Sequence, residues 1–193
     1  MSAVPPETRQ VAPPAPPRPK PKFRLGLVLV VGVVGAVALA YMRARVLDSV
    51  VVKGHSMVPT FADGTRLLAW HGRYKPGDLN YGEIVTLYDP IDGTLVIKRV
   101  TGLAGDVLAF KDQDVYRNGE LLHEPYVNQD EPSLPTSGQV TVPPDAVFFM
   151  GDNRGNSQDS RDYGPVPVKD IRGRPFATIW PPSEWGRGQR GAR

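Results

Sequence analysis

The sequence predicts a mainly β fold preceded by one N-terminal membrane-spanning helix. Three observations predict it: short apolar or alternating runs recur after residue 49, turn residues separate them, and one long uncharged run comes first. The 193 residues suffice for one domain with a hydrophobic core but not for two full domains. We therefore expect a single module of coiled, partly barrel-like sheets.

Eight runs are predicted to be strands, because none of them continues a helical period over three turns. They cover residues 50–52, 65–70, 83–88, 94–100, 107–110, 115–122, 146–150 and 176–180. Asn118-Gly119 is the sharpest turn signal, since this pair between apolar residues favours a type I′ hairpin. The stretch 128–141 is rich in Pro, Ser and Asp, which predicts a surface loop.

The run at residues 25–42, LGLVLVVGVVGAVALAYM, carries no charge. As a helix it would be about 27 Å long, close to the thickness of a bilayer core. A cleaved signal peptide is the alternative, but its apolar part is normally shorter and ends at a small-x-small site. Here the run leads directly into Arg43 and Arg45, which favours a permanent anchor.

Basic residues give the predicted orientation, because they are more numerous before the anchor than after it. The N-terminus is therefore expected in the cytoplasm and the domain on the other side of the cell membrane. We divide the chain into a Pro-rich basic cytoplasmic tail (1–24), an anchor (25–42), an extracytoplasmic domain (43–180) with a smaller cap or insert (111–145), and a flexible basic tail (181–193).

Composition argues against several classes of protein. Residues 25–186 have a net charge of −4, so the domain lacks the basic footprint of a nucleic-acid binder. The absence of cysteine excludes disulfides, thiol nucleophiles and cysteine-ligated metals, and three scattered histidines speak against a zinc site. We expect no cofactor, no metal and no nucleic-acid partner.

Lys98 is a candidate general base. The strand pattern places it on the same face as Val96 and Val100, with Arg99 on the opposite face, so one cation must face apolar surroundings. A lysine removed from water has a lowered pKa, which allows it to accept a proton near neutral pH. The alternative is a charged residue that protects a sheet edge.

Ser56 is a candidate nucleophile that follows the anchor closely. Gly54 permits close backbone approach and Pro59 favours an extended residue before it, so Ser56 can be displayed on a loop with its N–H directed into a cleft. An ordinary turn serine is the alternative. Its partner could also be a histidine, His71 or His123, although no local pattern favours a Ser-His-Asp triad.

A polar segment, MGDNRGNSQDSR at residues 150–161, follows an apolar run. Its density of Asp, Asn, Ser and Arg predicts a hydrogen-bonded loop, with a polar surface turn as the alternative.

The three segments together resemble type I signal peptidases, the membrane-anchored serine proteases that remove secretory signal peptides. The matching boxes appear in order within residues 25–180: SMVPT at 56–60, GD at 77–78, GEIV at 82–85, KRVTGLAGD at 98–106 and GDNRGNSQDSR at 151–161.

The resemblance implies the complex β fold of these enzymes and a role for each matching residue. Ser56 would attack the scissile carbonyl, and neutral Lys98 would accept its proton. Ser157 matches the hydroxyl that orients the lysine, while Asp159 and Arg161 match a supporting ion pair.

Gly151 opens the last box and is implied to support the same site. The backbone N–H of Ser56 is implied as an oxyanion-hole donor. Some relatives carry a serine two residues before the nucleophile, where this chain has Gly54, so a second donor would be a backbone N–H of the Gly54 region or water. Phe61 and Trp70 are expected either to rest on the bilayer or to lie in the core.

The implied partners are the lipid bilayer and preproteins with small residues at the first and third positions before the cut. Two other functions stay open. One is a specialised pilin- or conjugation-type maturation peptidase, and the other is a non-catalytic, membrane-tethered β binding module.

Overall fold

The computed structural model describes residues 25–128, 130–131 and 137–185. The predicted cytoplasmic tail at 1–24 and residues 186–193 of the predicted C-terminal tail lie outside the described residues. The chain divides into two compact units, Met1–Ala38 and Leu39–Arg193. Both sheets and the candidate site belong to the second unit.

Helix α1 spans Leu25–Val46 and so extends four residues beyond the predicted anchor. Its side chains at positions 26–41 are exposed. Among the described residues, no helix has the length and apolar character needed to cross a membrane. The membrane anchor therefore stays a prediction.

The larger sheet contains seven antiparallel strands in the spatial order β1-β2-β11-β3-β4-β9-β10. Their bounds are Leu47–Val51 (β1), Arg66–His71 (β2), Ile84–Tyr88 (β3), Leu95–Gly102 (β4), Ala146–Met150 (β9), Val166–Pro167 (β10) and Ile171–Trp180 (β11). Register shifts interrupt the pairing of β11 with β2 and β3 and that of β4 with β9. Bulges of this kind bend strands, so the sheet curls into a half-barrel whose edge strands are β1 and β10.

The smaller sheet has the order β7-β6-β5-β8. Its strands are Val107–Lys111 (β5), Asp114–Arg117 (β6), Glu120–Leu121 (β7) and Gly138–Thr141 (β8). Asn118 and Gly119 join β6 to β7 with φ values of 54° and 87°, the positive values that a type I′ turn requires. The described chain also contains the short helix α2 at Ser160–Tyr163 and 3-10 turns at Arg154–Asn156, Val168–Asp170 and Pro182–Glu184.

The prediction of a mainly β fold is confirmed. Each of the eight predicted runs overlaps a strand, with the seventh matching β9 at both ends. The loop predicted at 128–141 is wrong at its end, because residues 138–141 pair with β5 as β8. Strand β10 was not predicted, and the start of the predicted C-terminal tail forms a 3-10 turn.

The hydrophobic core covers both faces of the central strands. On one face of β3 and β4, Val85, Leu87 and Val100 pack with Phe149. On the other, Ile84 and Ile97 pack with residues from the turn after β1. Phe61 belongs to this second cluster and is buried, whereas Trp70 is 46% exposed and stacks on Phe176 at 4.7 Å between ring centroids. Phe61 therefore takes the core alternative.

Candidate active site

Lys98 lies in the middle of the larger sheet, not at an edge. Strand β4 has β3 on one side and β9 on the other, and Lys98 is only 3% exposed. Burial lowers the pKa of its ammonium group, and the nearby carboxylate of Asp159 offsets that effect in part. The edge-protecting alternative is wrong, because a central strand has no free edge at this position.

Ser157, Asp159 and Arg161 form a hydrogen-bonded chain that ends at Lys98. Lys98 Nζ donates to Ser157 Oγ at 2.8 Å, and Ser157 Oγ donates to Asp159 Oδ2 at 2.8 Å. Arg161 Nε donates to Asp159 Oδ1 at 2.8 Å, and the Gly151 N–H donates to Asp159 Oδ2 at 2.9 Å. The structure thus brings together five of the residues that the last two boxes predicted. Asp159 accepts from three of them, and Lys98 is joined to it through Ser157.

Asp159 is fully buried, and its charge state follows from its donors. Burial raises the pKa of its carboxyl, but the bonds from Arg161, the Gly151 N–H and Ser157 outweigh burial and leave the pKa below its ordinary value. The carboxylate is therefore ionised at neutral pH. It also caps helix α2, because its side chain accepts from the Arg161 N–H.

Gly151 lies where the Ser56 turn and the Ser157 side chain meet. A Cβ atom at Gly151 would be 2.5 Å from the Ser56 carbonyl oxygen and 2.6 Å from Ser157 Cβ. These two atoms are therefore within about 5 Å of each other. The Asn153 N–H donates to the same Ser56 carbonyl at 3.0 Å. The turn that carries Ser56 is thus bound to the loop that carries Ser157.

Ser56 itself is partly exposed, while the next residue, Met57, is fully buried in the core. Burial of Met57 fixes the turn and leaves the preceding side chain accessible. Gly54 has a φ of +80°, a conformation that favours glycine, and its N–H donates to Asp63 Oδ1 at 2.8 Å. That N–H is already engaged, so it is a poor candidate for the second oxyanion donor.

Arg99 and Asp152 form a buried ion pair to which the sequence analysis gave no role. Arg99 is 1% and Asp152 0% exposed. Arg99 Nε donates to Asp152 Oδ1 at 2.8 Å and Nη2 donates to Oδ2 at 2.6 Å. Thr60 Oγ1 donates to Asp152 Oδ2 as well. The pair connects β4, the Ser56 turn and the 151–154 loop. The only indication of it in the sequence is that Arg99 follows Lys98 and Asp152 follows Gly151.

Two observations complete the description of the site. His71 bonds Asp48 at 3.1 Å, a pair that lies between β1 and β2. Neither His71 nor His123 has a hydrogen bond to Ser56 among the described contacts. In the part of the chain that the structure describes, no group of three or more His, Cys, Asp or Glu residues could hold a metal ion.

The domain is thus mainly β, and its buried Lys98 is hydrogen-bonded to Ser157 next to the turn that carries Ser56. A family model described as signal peptidase, peptidase S26, matches residues 24–180. The chain belongs to this family.

Two relatives of known family support the assignment by their sequence identity. A probable signal peptidase I-2 of Synechocystis is 35% identical over 82% of this chain and 73% of its own length. A signal peptidase I of Bacillus caldolyticus is 32% identical over 77% of this chain and 87% of its own. A solved signal peptidase I from Enterococcus faecalis is 29% identical with a TM-score of 0.45, covering 50% of this chain and 96% of that one.

Proposed function

We propose that the protein is a membrane-bound serine endopeptidase that removes signal peptides from exported preproteins. Family membership and the relatives' names support the substrate class. The observation that carries the mechanism is the buried amine of Lys98, hydrogen-bonded to Ser157 next to the turn of Ser56.

In this proposal, Ser56 Oγ attacks the scissile carbonyl carbon while its proton moves to neutral Lys98. The C–N bond then breaks, and protonated Lys98 gives that proton to the leaving amine, so that an acyl ester on Ser56 remains. Water attacks the ester, Lys98 accepts a proton from it, and the proton returns to Ser56 as the acid product leaves. One group thus acts as general base and general acid in turn.

The hydrogen bonds around Ser157 support the base role of Lys98. Ser157 has a single hydroxyl proton and donates it to Asp159, so it can only accept from Lys98. A neutral Lys98 therefore uses an N–H toward Ser157 and keeps its lone pair available for the Ser56 proton. Asp159, in turn, is fixed by Arg161 and by the Gly151 N–H.

The oxyanion hole and the membrane arrangement extend the proposal. The backbone N–H of Ser56 would stabilise the developing oxyanion, a contribution that is typically worth about 10²- to 10³-fold in rate. Residues 25–42 would anchor the chain with the N-terminus in the cytoplasm and the peptidase domain outside. Substrates would carry small residues at the first and third positions before the cut.

A cleavage assay tests the proposal directly. The full-length chain in detergent is incubated with a purified preprotein, next to the Ser56→Ala and Lys98→Ala variants. Both variants should lose cleavage by roughly 10³-fold or more while still unfolding cooperatively as folded proteins. Cleavage by Lys98→Ala at the native rate would refute the role of the lysine.

The two alternatives give different results in the same experiments. A maturation peptidase with one substrate would cleave few members of a panel of unrelated signal peptides. A non-catalytic binding module would not be acylated at Ser56 by a penem. Broad cleavage together with Ser56 labelling supports the general signal peptidase.

A further inference from the structure

Residues 124–128, 130 and 131, which follow β7 along the chain and are called the segment below, contact the 151–154 loop through polar groups. Glu124 pairs with Arg154, and the Asn128 N–H donates to the Asp152 carbonyl oxygen at 2.9 Å. Asn153 Nδ2 donates to Glu131 Oε2 at 3.0 Å. Three consecutive residues of the loop, 152–154, are therefore bound to the segment by two hydrogen bonds and one ion pair.

The Glu124 and Arg154 contact is a buried, two-point ion pair. Arg154 Nη2 and Nη1 lie 2.8 Å from Glu124 Oε1 and Oε2, with side-chain exposures of 5% and 10%. Burial lowers the pKa of Arg154, but Glu124 more than offsets it, so the pKa lies above its ordinary value. The same guanidinium donates from Nε to the Gly151 carbonyl oxygen at 3.0 Å. Glu124 thus fixes Arg154, and Arg154 fixes Gly151.

Tyr126 contacts both Arg99 and Glu124. Its ring lies 4.0 Å from Arg99 Cζ, on the guanidinium that pairs with Asp152, and its hydroxyl donates to Glu124 Oε1 at 2.8 Å. A cation over an aromatic face is stabilised, more so when water is excluded. Glu124 and Tyr126 therefore bond each other. Glu124 also pairs with Arg154 of the loop, and Tyr126 covers Arg99, the partner of Asp152 in the loop.

We infer that Glu124 and Tyr126 are positioning residues for the proposed active site, acting through Arg154 and Arg99 on the loop that aligns Ser56 with Ser157. This inference rests on the proposed function. Neither residue touches the reacting atoms. Their effect reaches Ser56 because Gly151 packs against its carbonyl oxygen and the Asn153 N–H bonds that same atom.

A purely structural role, in which the segment only holds the smaller sheet in place, makes a different prediction. It would lower the unfolding temperature but leave the folded molecules with native catalysis. A positioning role changes the environment of Lys98. The main charges that act on Lys98 are Asp159, Asp89, Arg161 and Asp162, none of which belongs to the segment. A shift in its titration would therefore report movement of the loop.

The experiment compares Glu124→Gln, Tyr126→Leu and Tyr126→Phe with the native full-length chain in detergent. Glu120→Gln is the matched control, because Glu120 is exposed on β7. We expect Glu124→Gln and Tyr126→Leu to lower kcat about 10- to 100-fold with little change in KM, since a misplaced group costs mainly the chemical step. The midpoint of the pH profile of kcat/KM should move upward as water reaches Lys98. Tyr126→Phe keeps the ring on Arg99 and should lose less than Tyr126→Leu.

Amide hydrogen exchange supplies a readout that does not depend on catalysis. The N–H of Gly151 and that of Asn153 should exchange faster in Glu124→Gln and Tyr126→Leu, while Leu67 in β2 should exchange as in the native chain. Unchanged protection at Gly151 and Asn153, or a native kcat and pH midpoint in the folded variants, overturns the inference. Should Glu124→Gln fail to fold, the two Tyr126 variants decide. Absence of cleavage by the native chain would instead count against the proposed function, with the exchange data still testing the inference.

Discussion

Lys98 Nζ lies 2.8 Å from Ser157 Oγ, and the Ser157 proton is directed to Asp159. The hydroxyl therefore orients the amine without consuming its lone pair. Because Lys98 is also withdrawn from water, the uncharged form is favoured by its surroundings. Orientation and a lowered pKa are the two properties that a lysine general base needs.

Ser157→Ala should reduce kcat/KM for a preprotein by roughly 5- to 150-fold. The change removes the acceptor that orients the amine, and a catalytic group misplaced by about 1 Å can cost about 100-fold in rate. Ser137→Ala is the control, because Ser137 is exposed. A native kcat/KM for Ser157→Ala would show that the hydroxyl does not orient Lys98.

The pH dependence should follow the titration of Lys98. Burial lowers its pKa in the folded state below 10.5, the ordinary value of a lysine. The neutral fraction, and with it kcat/KM, rises with pH through the folded pKa and then levels off. A flat profile between pH 5 and 9 would contradict the general-base role.

Stability should rise in a related window. Between the folded pKa and 10.5 the unfolded chain binds a proton that the folded chain does not, so the free energy of unfolding increases with pH. Lys98→Met removes this contribution, whereas Lys169→Met, at an exposed lysine, should retain it. Urea unfolding of the three proteins from pH 6 to 10 measures the difference.

Gly151→Ala should lower kcat strongly and the free energy of unfolding only moderately. The added Cβ would lie less than 3 Å from the Ser56 carbonyl oxygen and Ser157 Cβ, so these groups must separate. Overpacking of this kind costs typically about 1–3 kcal/mol in stability, and the displacement alone can cost about 100-fold in kcat. Gly72→Ala is the control, since its nearest contact would be an ordinary 3.4 Å to Tyr74. Equal activity of the two variants would argue against close coupling at Gly151.

The strand pattern was predictable because alternation and turn residues are local properties of the sequence. The Asn118-Gly119 hairpin is the clearest case, since both residues have the positive φ that the turn demands. Strand β8 was missed because Gly138 and Gln139 follow a polar, Pro-rich run. Their strand conformation depends on pairing with Phe110 and Ala109 of β5, which no local pattern reveals.

The sequence segments that form the site could be predicted, but most of the contacts between their side chains could not. The placement of Lys98 on an apolar face followed from strand periodicity, while the centrality of β4 required its neighbours β3 and β9. The partnership of Arg99 with Asp152 joins residues 53 positions apart and could not be inferred from spacing. Likewise, the contacts of Glu124 with Arg154 and of Tyr126 with Arg99 join residues far apart in the sequence, which no local pattern reveals.

Arg99→Met should destabilise the domain strongly, by about 3–5 kcal/mol, because it leaves Asp152 buried without its partner. The loss should appear as a lower urea midpoint with an unchanged slope. Arg66→Met, at an exposed position in β2, should change the midpoint little. The double variant Arg99→Met with Asp152→Leu should recover much of the stability, because no buried charge is left unpaired. It should nevertheless stay impaired in cleavage. Thr60 of the Ser56 turn loses its acceptor on Asp152, and the Gly82 carbonyl oxygen loses its donor on Arg99. Full recovery of kcat/KM in the double variant would show that the ion pair contributes stability alone.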